Sequence, residues 1–239
     1  MSHQFNLDDL QFYITLPAPC PYLEGQMERK IFTPLDPMDG TLINDHLTHS
    51  GFRRSQNVIY RPACETCQAC QSLRVKVRGF KPSRSFRRII KNNADLTRTV
   101  NEAFATQEQF DLLHTYLTTR HDGGGMSEMD FARYEMMVED CASNTQVFEY
   151  RNKDDVLVAA CITDVLHDGL SMVYSYFDPA LVKRSLGNYM ILDHIAACAQ
   201  SHHSFLYLGY WVENSRKMSY KSKFKPHQVL RKTGWWNVE

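Results

Sequence analysis

The spacing of apolar residues along this chain predicts an alternation of strands and helices. Over Leu73–Phe80 apolar and basic residues alternate with period two, as on a strand that buries one face and exposes the other. From Thr106 to His121 the apolar residues recur every three or four positions, which predicts a helix. A second helix is expected over Ser127–Ala142, with Ser127 as its N-cap, after the glycine-rich loop His121–Met126.

Strand patterns dominate the following part of the chain. The expected strands are Gln146–Arg151, Val156–Val165, Leu170–Phe177, Phe205–Val212 and a last one near Gln228–Val238. The turns NKDD and HDG predict antiparallel hairpins among the first three, and a helix is expected over Ser185–Ser201. Residues 1–60 are rich in proline, which predicts loops around a strand at Arg29–Phe32 and a helix at Asp39–Ser50.

This order of elements predicts an α+β fold in which a mixed, mostly antiparallel sheet is flanked by helices. The order is similar to that of the GNAT acyltransferases, where the helix after the fourth strand holds the phosphates of the acyl donor at its N-terminus. A smaller N-terminal module with a basic strand and a cysteine cluster is expected to precede this domain, with a division into residues 1–95 and 96–239.

The composition is that of a globular protein with a substantial core. Of the 239 residues, 43% are hydrophobic and 12% are aromatic. The first ten residues contain aspartates but no lysine or arginine, so a signal peptide is not expected. The longest apolar run, Val156–Ile162, is too short to cross a bilayer, and a cytoplasmic protein without a membrane partner is predicted.

Basic residues are concentrated in two blocks, although the formal net charge is zero. The segments Thr66–Ala94 and Asn214–Val238 contain many lysines and arginines and no acidic residue. Such segregation is typical of a surface that binds a polyanion. It is equally compatible with two ordinary solvated surfaces.

The segment SYFDPALVKRSLGNY joins a strand to a helix in the way of an anion-binding turn. Asp178-Pro179 ends the strand, and the helix begins on the pattern Arg184-x-x-Gly187. Backbone N–H groups at such a helix start hold anions or carbonyl oxygens. Tyr189 stands where the comparable GNAT loop has a small residue, which argues against coenzyme A as the donor.

Several motifs resemble those of the arginyl-tRNA–protein transferase family. They are Phe-Asp-Pro at the end of the third hairpin strand, Ser-Leu-Gly-x-Tyr, Tyr-x-Gly-Tyr, and Lys-Met-x-Tyr-Lys-x-x-Phe-x-Pro, in the order of the family. The upstream pieces GFRRSQNVIYRPAC and FKPSRSFRR resemble its N-terminal module. The stretch CPYLEGQMERKIFTPLDP is most similar to the bacterial branch, the aspartate/glutamate leucyltransferases.

The resemblance implies transfer of leucine from leucyl-tRNA to the N-terminal amine of proteins that begin with Asp or Glu. The product is a destabilising N-terminus, an N-degron. The partners implied are leucyl-tRNA and the acidic protein substrates, and no cofactor is implied. Two alternatives remain open: an N-acetyltransferase that uses acyl-CoA, and an RNA-binding module without enzymatic activity.

The expected site residues form three groups. Those that line the acyl site, and so are expected to be catalytic, are Ser185, Gly187, Tyr207 and Tyr210. Cations expected to bind the substrate carboxylate are Arg74, Lys76, Arg78, Lys81 and Arg84. Those expected to contact tRNA are Arg87, Arg88, Arg184, Lys217, Lys221 and Lys223. Because the ester is already activated and an α-amine has a pKa near ~8, a strong general base is optional.

Four of the seven cysteines are suited by their spacing to bind a metal. Cys64, Cys67 and Cys70 form a CxxCxxC motif, and Cys20 is a possible fourth ligand for zinc or an iron–sulfur cluster. Leu23 stands where the eukaryotic relatives have the second cysteine of a pair. Free thiols and no metal are therefore expected.

Overall fold

The computed structural model describes residues 9–120, 129–213, 215 and 217–238. The N-terminal part contains β1 (Tyr13–Ile14), β2 (Ala18–Pro19), β3 (Met27–Glu28), β4 (Lys30–Pro34), α1 (Gly40–His49), β5 (Arg53–Ser55), β6 (Val58–Pro62), β7 (Gln71–Lys76) and α2 (Arg84–Asn92). The remainder contains β8 (Thr97–Glu102), α3 (Gln107–Arg120), α4 (Phe131–Val138), β9 (Thr145–Arg151), β10 (Leu157–Leu166), β11 (Gly169–Phe177), α5 (Leu186–Gln200), β12 (Phe205–Trp211), β13 (His227–Arg231) and β14 (Gly234–Val238).

An eight-stranded sheet forms the centre of the molecule. Its strand order is β14-β13-β7-β12-β11-β10-β9-β8. All neighbouring pairs are antiparallel except β11 and β12, which are parallel because α5 connects them. The prediction of a mixed, mostly antiparallel sheet is confirmed.

Helices cover both faces of this sheet, and the period-two alternation of its strands distributes side chains between two cores. Phe148 and Cys161 pack with α2 and α5 on one face, whereas Val147 and Ile162 pack with α3 and α4 on the other. Because both faces are covered, β10 is buried along almost its whole length.

A second sheet in the N-terminal part has the order β1-β4-β6-β5. With α1 it encloses a small core of Leu35, Ile43, Leu47, Phe52 and Ile59. The strand β7 lies before residue 95 in the chain but sits inside the eight-stranded sheet, between β12 and β13. The division into residues 1–95 and 96–239 stays a prediction.

The predicted elements differ from the structure mainly at edges and ends. The exposed edge strand β8 was not predicted, and the expected last strand is the hairpin β13–β14. The helix α4 begins at Phe131 with Asp130 as its N-cap, while Ser127 and the loop at 121–126 lie outside the described residues. None of the helices described is both long enough and apolar enough to span a membrane.

Candidate functional site

The strands β11 and β12 separate near the middle of the large sheet. Their parallel pairing joins Gly169–Ser171 to Phe205–Tyr207. Just beyond, β12 has a bulge between Tyr207 and Gly209, and Gly209 adopts a left-handed φ of +70°. Past this point the carbonyl oxygens of the two strands accept hydrogen bonds from side chains, because a buried backbone carbonyl requires a hydrogen-bond partner.

Two basic side chains supply these donors. Arg53 of β5 donates from Nη2 to the Val173 oxygen and from Nη1 to the Leu208 oxygen, the latter over 3.4 Å. Lys221 donates from Nζ to the oxygens of Leu208 and Tyr210, both at 2.7 Å. Residues distant in sequence therefore hold the split between β11 and β12 open.

A cavity of about 580 Å³ opens beside this split. Its lining combines three arginines and a lysine (Arg53, Arg54, Arg133 and Lys221) with four tyrosines (Tyr22, Tyr60, Tyr174 and Tyr210). None of the residues that the structure shows lining the cavity is a carboxylate. The electrostatic potential there is consequently positive, which suits a ligand that carries a negative group.

Arg54 is neutralised by a buried ion pair. Its Nε and Nη2 donate to the two oxygens of Asp164 at 2.7 and 2.8 Å. Asn44 and Thr145 donate to the same carboxylate at 3.0 and 2.8 Å. This pair connects β5 of the small sheet to β10 of the large sheet, and so holds the neighbouring Arg53 at the split.

Lys221 lies in the 3-10 turn Ser219–Lys223 and is buried. Burial, together with the positive charge of Arg53, holds its pKa well below the usual value for lysine. Lys221, which was expected to contact tRNA, is buried because the turn directs its side chain toward the sheet, whereas Lys217 and Lys223 are exposed. Its contact with tRNA stays a prediction.

Of the two tyrosines expected at the acyl site, Tyr210 lines this cavity and Tyr207 does not. The Tyr210 hydroxyl lies 3.0 Å from the Gly51 oxygen and 2.9 Å from the Tyr60 oxygen, and burial raises its pKa. The Tyr207 hydroxyl lies 3.1 Å from Asp168 at the other end of β12. The catalytic roles of both tyrosines stay predictions.

Arg74 is enclosed rather than exposed. Its guanidinium lies 3.6 Å from the ring centre of Phe205 and 4.2 Å from that of Trp235, and Nη1 donates to the Tyr207 hydroxyl at 2.9 Å. The prediction of an exposed Arg74 was wrong because β7 is an interior strand whose outer face is covered by aromatic side chains of β12 and β14. These contacts favour a structural role for Arg74 over binding of a substrate carboxylate.

A polar network continues from this enclosure to the end of α1. Asp168 accepts from Tyr207 and pairs with His49 at 2.9 Å, and that hydrogen bond raises the pKa of His49. His49 stacks on His167, which pairs with Asp45 at 2.6 Å. In the described part of the chain, Asp45, His49 and His167 are the one group of three potential metal ligands with donor atoms within 4.8 Å of one another.

The remaining predicted cations mostly lie on the surface. Lys76 contacts Asn237 at 3.3 Å, and Arg184 pairs with Asp95 through contacts of 2.6 Å. The predicted cations that are exposed on α2 and the turn before it are Arg78, Lys81, Arg84, Arg87 and Arg88. The rings of Phe86 and Phe224 stack at 4.7 Å, which packs α2 against the Ser219–Lys223 turn and joins the two basic blocks of the sequence.

Ser185 and Gly187 lie at the N-terminus of α5, outside the residues that line the cavity. Ser185 has a left-handed backbone with φ 54°, and its carbonyl accepts from the N–H groups of Asn188 and Tyr189. A Cβ on Gly187 would lie 3.3 Å from the Phe177 ring, so the glycine allows close packing there. Their predicted role at the donor end stays a prediction.

The four cysteines singled out by the sequence line a second cavity, of about 660 Å³. Cys20 thus lies in the same region as Cys64, Cys67 and Cys70, but no three of these thiols lie within 4.8 Å of one another, as a shared metal would require. Burial, followed by the neighbouring thiols, raises the pKa of Cys70 to about 12. The expectation of free thiols without a metal stays a prediction.

Arg53 and Arg133 are the residues of the cavity that sequence reasoning missed. The signal for Arg53 was present in GFRRSQ, where two adjacent arginines stand in one short segment, and both of them line the cavity. Arg133 gave no such signal, because α4 carries it on an exposed position beside the cavity.

Comparison with known proteins places both halves of the chain. Residues 18–88 match the model of the N terminus of arginine-tRNA-protein transferase, and residues 108–231 match the model of its C terminus. An aspartate/glutamate leucyltransferase of Maricaulis maris (strain MCS10) is 52% identical over 235 residues, which cover 98% of this chain and 92% of that protein. One from Bradyrhizobium sp. (strain ORS 278) is 49% identical over 245 residues, covering 99% and 95%.

Among solved structures, FemX matches with a TM-score of 0.53 at 9% sequence identity, covering 87% of this chain and 71% of that one. At this identity the match shows a shared fold. It agrees with the predicted α+β fold of a mixed sheet flanked by helices.

Proposed function

The chain belongs to the arginine-tRNA–protein transferase family, and we propose on this premise that it transfers leucine from leucyl-tRNA to the α-amine of proteins that begin with Asp or Glu. The product then carries an N-terminal leucine, which acts as an N-degron. The relatives named as aspartate/glutamate leucyltransferases, at about half identity over nearly the whole chain, support this reaction.

The observation that carries the proposal is the positively charged cavity beside the split strands. An N-terminal Asp or Glu brings a carboxylate, and a guanidinium binds a carboxylate through two parallel hydrogen bonds. Arg53 of β5 and Arg133 of α4 both line this cavity, whereas Arg54 is bound to the buried carboxylate of Asp164. We assign the side-chain carboxylate of the substrate to these two residues.

The basic surface around α2 fits the tRNA. Its exposed cations come from two sequence segments that the Phe86–Phe224 stack holds together. Phosphate contacts by such side chains supply affinity that falls with salt. The surface comprises Arg84, Arg87, Arg88, Lys91, Lys223 and Lys225.

An acyl-CoA donor is less well accommodated. Arg53 and Lys221 already occupy the carbonyl groups of Val173, Leu208 and Tyr210 along the split, so an extended thioester chain would have to displace them. Tyr189 at the start of α5 adds bulk where a phosphate-binding loop needs a small residue.

The function is tested by incubating the protein with leucyl-tRNA and peptides that begin with Asp, Glu, Ala or Arg. We expect leucine on the Asp and Glu peptides and at most a small fraction of that yield on the others. Acetyl-CoA in place of leucyl-tRNA serves as the control for the alternative donor. Absence of transfer from leucyl-tRNA to both acidic peptides would refute the proposal.

Substitutions of two arginines, Arg133 and Arg88, are expected to raise KM for different substrates. Arg133→Gln should raise KM for the Asp peptide about tenfold or more, because one charged hydrogen bond to a carboxylate contributes about 1.5–3 kcal/mol. Arg88→Gln should instead raise KM for leucyl-tRNA and reduce the salt dependence of binding by about one unit of the log–log slope. Steady-state kinetics with each substrate varied in turn measures both effects, and each variant is the control for the other. A rise in the same KM for both variants would contradict the assignment.

A further inference from the structure

Lys221 is a buried amine at the edge of the cavity, and its amine group binds two backbone carbonyl groups. The two acceptors of Nζ are backbone carbonyl oxygens, of Leu208 and Tyr210, each at 2.7 Å. A neutral amine has two N–H bonds, one for each carbonyl, and its lone pair takes the remaining tetrahedral position. An ammonium group would carry a third N–H there and would be a donor only.

The surroundings of Lys221 favour the neutral form. Arg53 approaches it from β5, and Arg133 of α4 lines the same cavity. The other titratable groups of the lining are Arg54, which Asp164 neutralises, and the tyrosines Tyr22, Tyr60, Tyr174 and Tyr210. Since the described lining holds no carboxylate, nothing there compensates a positive charge on Nζ, and the pKa of Lys221 is accordingly lowered, first by burial and then by Arg53.

We propose that Lys221 is a catalytic residue, the base that takes a proton from the α-ammonium group of the acidic substrate. The inference rests on the proposed function and adds a chemical step to it. A substrate carboxylate on Arg53 would bring the adjacent α-ammonium near Nζ, because Arg53 and Lys221 both bind the Leu208 oxygen.

The Nζ lone pair of Lys221 takes one proton from the α-ammonium, which becomes a neutral amine. The amine nitrogen forms a bond to the carbonyl carbon of the leucyl ester, and the bond from that carbon to the ribose oxygen breaks. The ribose oxygen takes the second proton from the attacking nitrogen and leaves as a hydroxyl, and Lys221 returns its proton to solvent.

Such a base matters because an N-terminal amine with a pKa of about 8 is mostly protonated at pH 7. General-base catalysis by a positioned side chain contributes roughly 10²- to 10⁴-fold in rate. The low pKa of Lys221 leaves it unprotonated at a pH where an ordinary surface lysine is charged.

The test compares Lys221→Arg and Lys221→Ala with the wild type in single-turnover transfer from leucyl-tRNA to an Asp peptide. Arginine retains N–H donors for the two carbonyls but is always protonated. We expect both variants to lower the rate of transfer by about 10²- to 10⁴-fold. Added ethylamine should restore leucyl-peptide formation in the alanine variant, and more basic amines should restore it better at a pH where they are neutral. Lys153→Arg, in an exposed turn, is the control and should retain the wild-type rate.

The outcomes are distinguishable. Wild-type protein that transfers no leucine refutes the proposed function itself. Wild-type activity with an active, folded Lys221→Arg variant refutes the base and leaves Lys221 as a donor to the carbonyls. Thermal melting checks folding, and Lys221→Gln, which has two amide N–H donors and no basic nitrogen, replaces any variant that unfolds. A glutamine variant with the wild-type rate likewise refutes the base.

Discussion

Replacing Gly209 with alanine is expected to abolish leucine transfer and to lower the free energy of unfolding by about 2–4 kcal/mol. A Cβ at this position would overlap Nη1 of Arg53 and lie 2.8 Å from its Cζ. Arg53 would have to leave the split, so the oxygen of Val173 would lose its donor. Buried carbonyls without a partner cost about 1–3 kcal/mol each.

Gly25 is a matched control for this substitution. It has the same φ of +70°, but no atom lies within 4 Å of a Cβ built on it. Gly25→Ala should therefore lower the free energy of unfolding only by the cost of a left-handed backbone with a Cβ, about 1–2 kcal/mol. This variant should retain activity. Chemical unfolding and single-turnover transfer on both variants measure the difference that Arg53 makes.

A double variant isolates the clash. If Arg53 is the cause, Gly209→Ala should cost little more in the Arg53→Ala background than the left-handed backbone alone, because the obstructing side chain is gone. Equal cost of Gly209→Ala in both backgrounds would contradict the role given to Arg53. Transfer should stay low in the double variant, since it lacks the proposed carboxylate ligand.

Removing one partner of the Arg54–Asp164 pair is expected to have a similarly large effect. Both side chains are about 1% exposed, and an unpaired charge left at such a site costs about 3–5 kcal/mol. Arg54→Met and Asp164→Leu should each destabilise the protein by roughly this amount. Because the pair positions β5, transfer should fall as well, through displacement of the adjacent Arg53.

The double variant Arg54→Met/Asp164→Leu should be less destabilised than the sum of the single ones, since neither charge is left alone. Asp95→Asn gives the exposed comparison. It breaks the contact with Arg184 at a surface position and is expected to cost less than about 1 kcal/mol. Denaturant unfolding of the wild type, the two single variants at Arg54 and Asp164 and their double variant forms a double-mutant cycle. Strictly additive losses of unfolding free energy would show that the two residues do not act as a pair.

Most of the order of strands and helices could be predicted from the local pattern of apolar and polar residues. The hairpins β9–β10–β11 and the helix α5 were predicted within a residue or two because both faces of these strands are apolar and their turns carry Asn, Asp and Gly. The edge strand β8 was missed because its side chains are mostly exposed and carry no apolar alternation. It pairs with β9 through backbone hydrogen bonds, which do not depend on the type of side chain and so cannot be predicted from composition.

The site was predicted less well than the fold. Charge and motif order indicated a basic surface and an acyl site near Tyr210, and Tyr210 does line the cavity. The same reasoning took Arg74 and Lys221 for surface cations, because alternation and charge describe a strand or turn in isolation. Whether a given face is covered depends on which strands lie beside it.

By itself the sequence determined the family, the mixed sheet and the two basic blocks, since these depend on residue type and spacing along the chain. Only the tertiary structure decided which basic side chains meet at the split between β11 and β12. Arg53 reaches the Val173 oxygen across 120 residues of sequence, and Lys221 is buried by packing of its turn against the sheet. Burial and proximity set the charge and hydrogen bonding of an ionisable group, and both arise only when distant segments pack together.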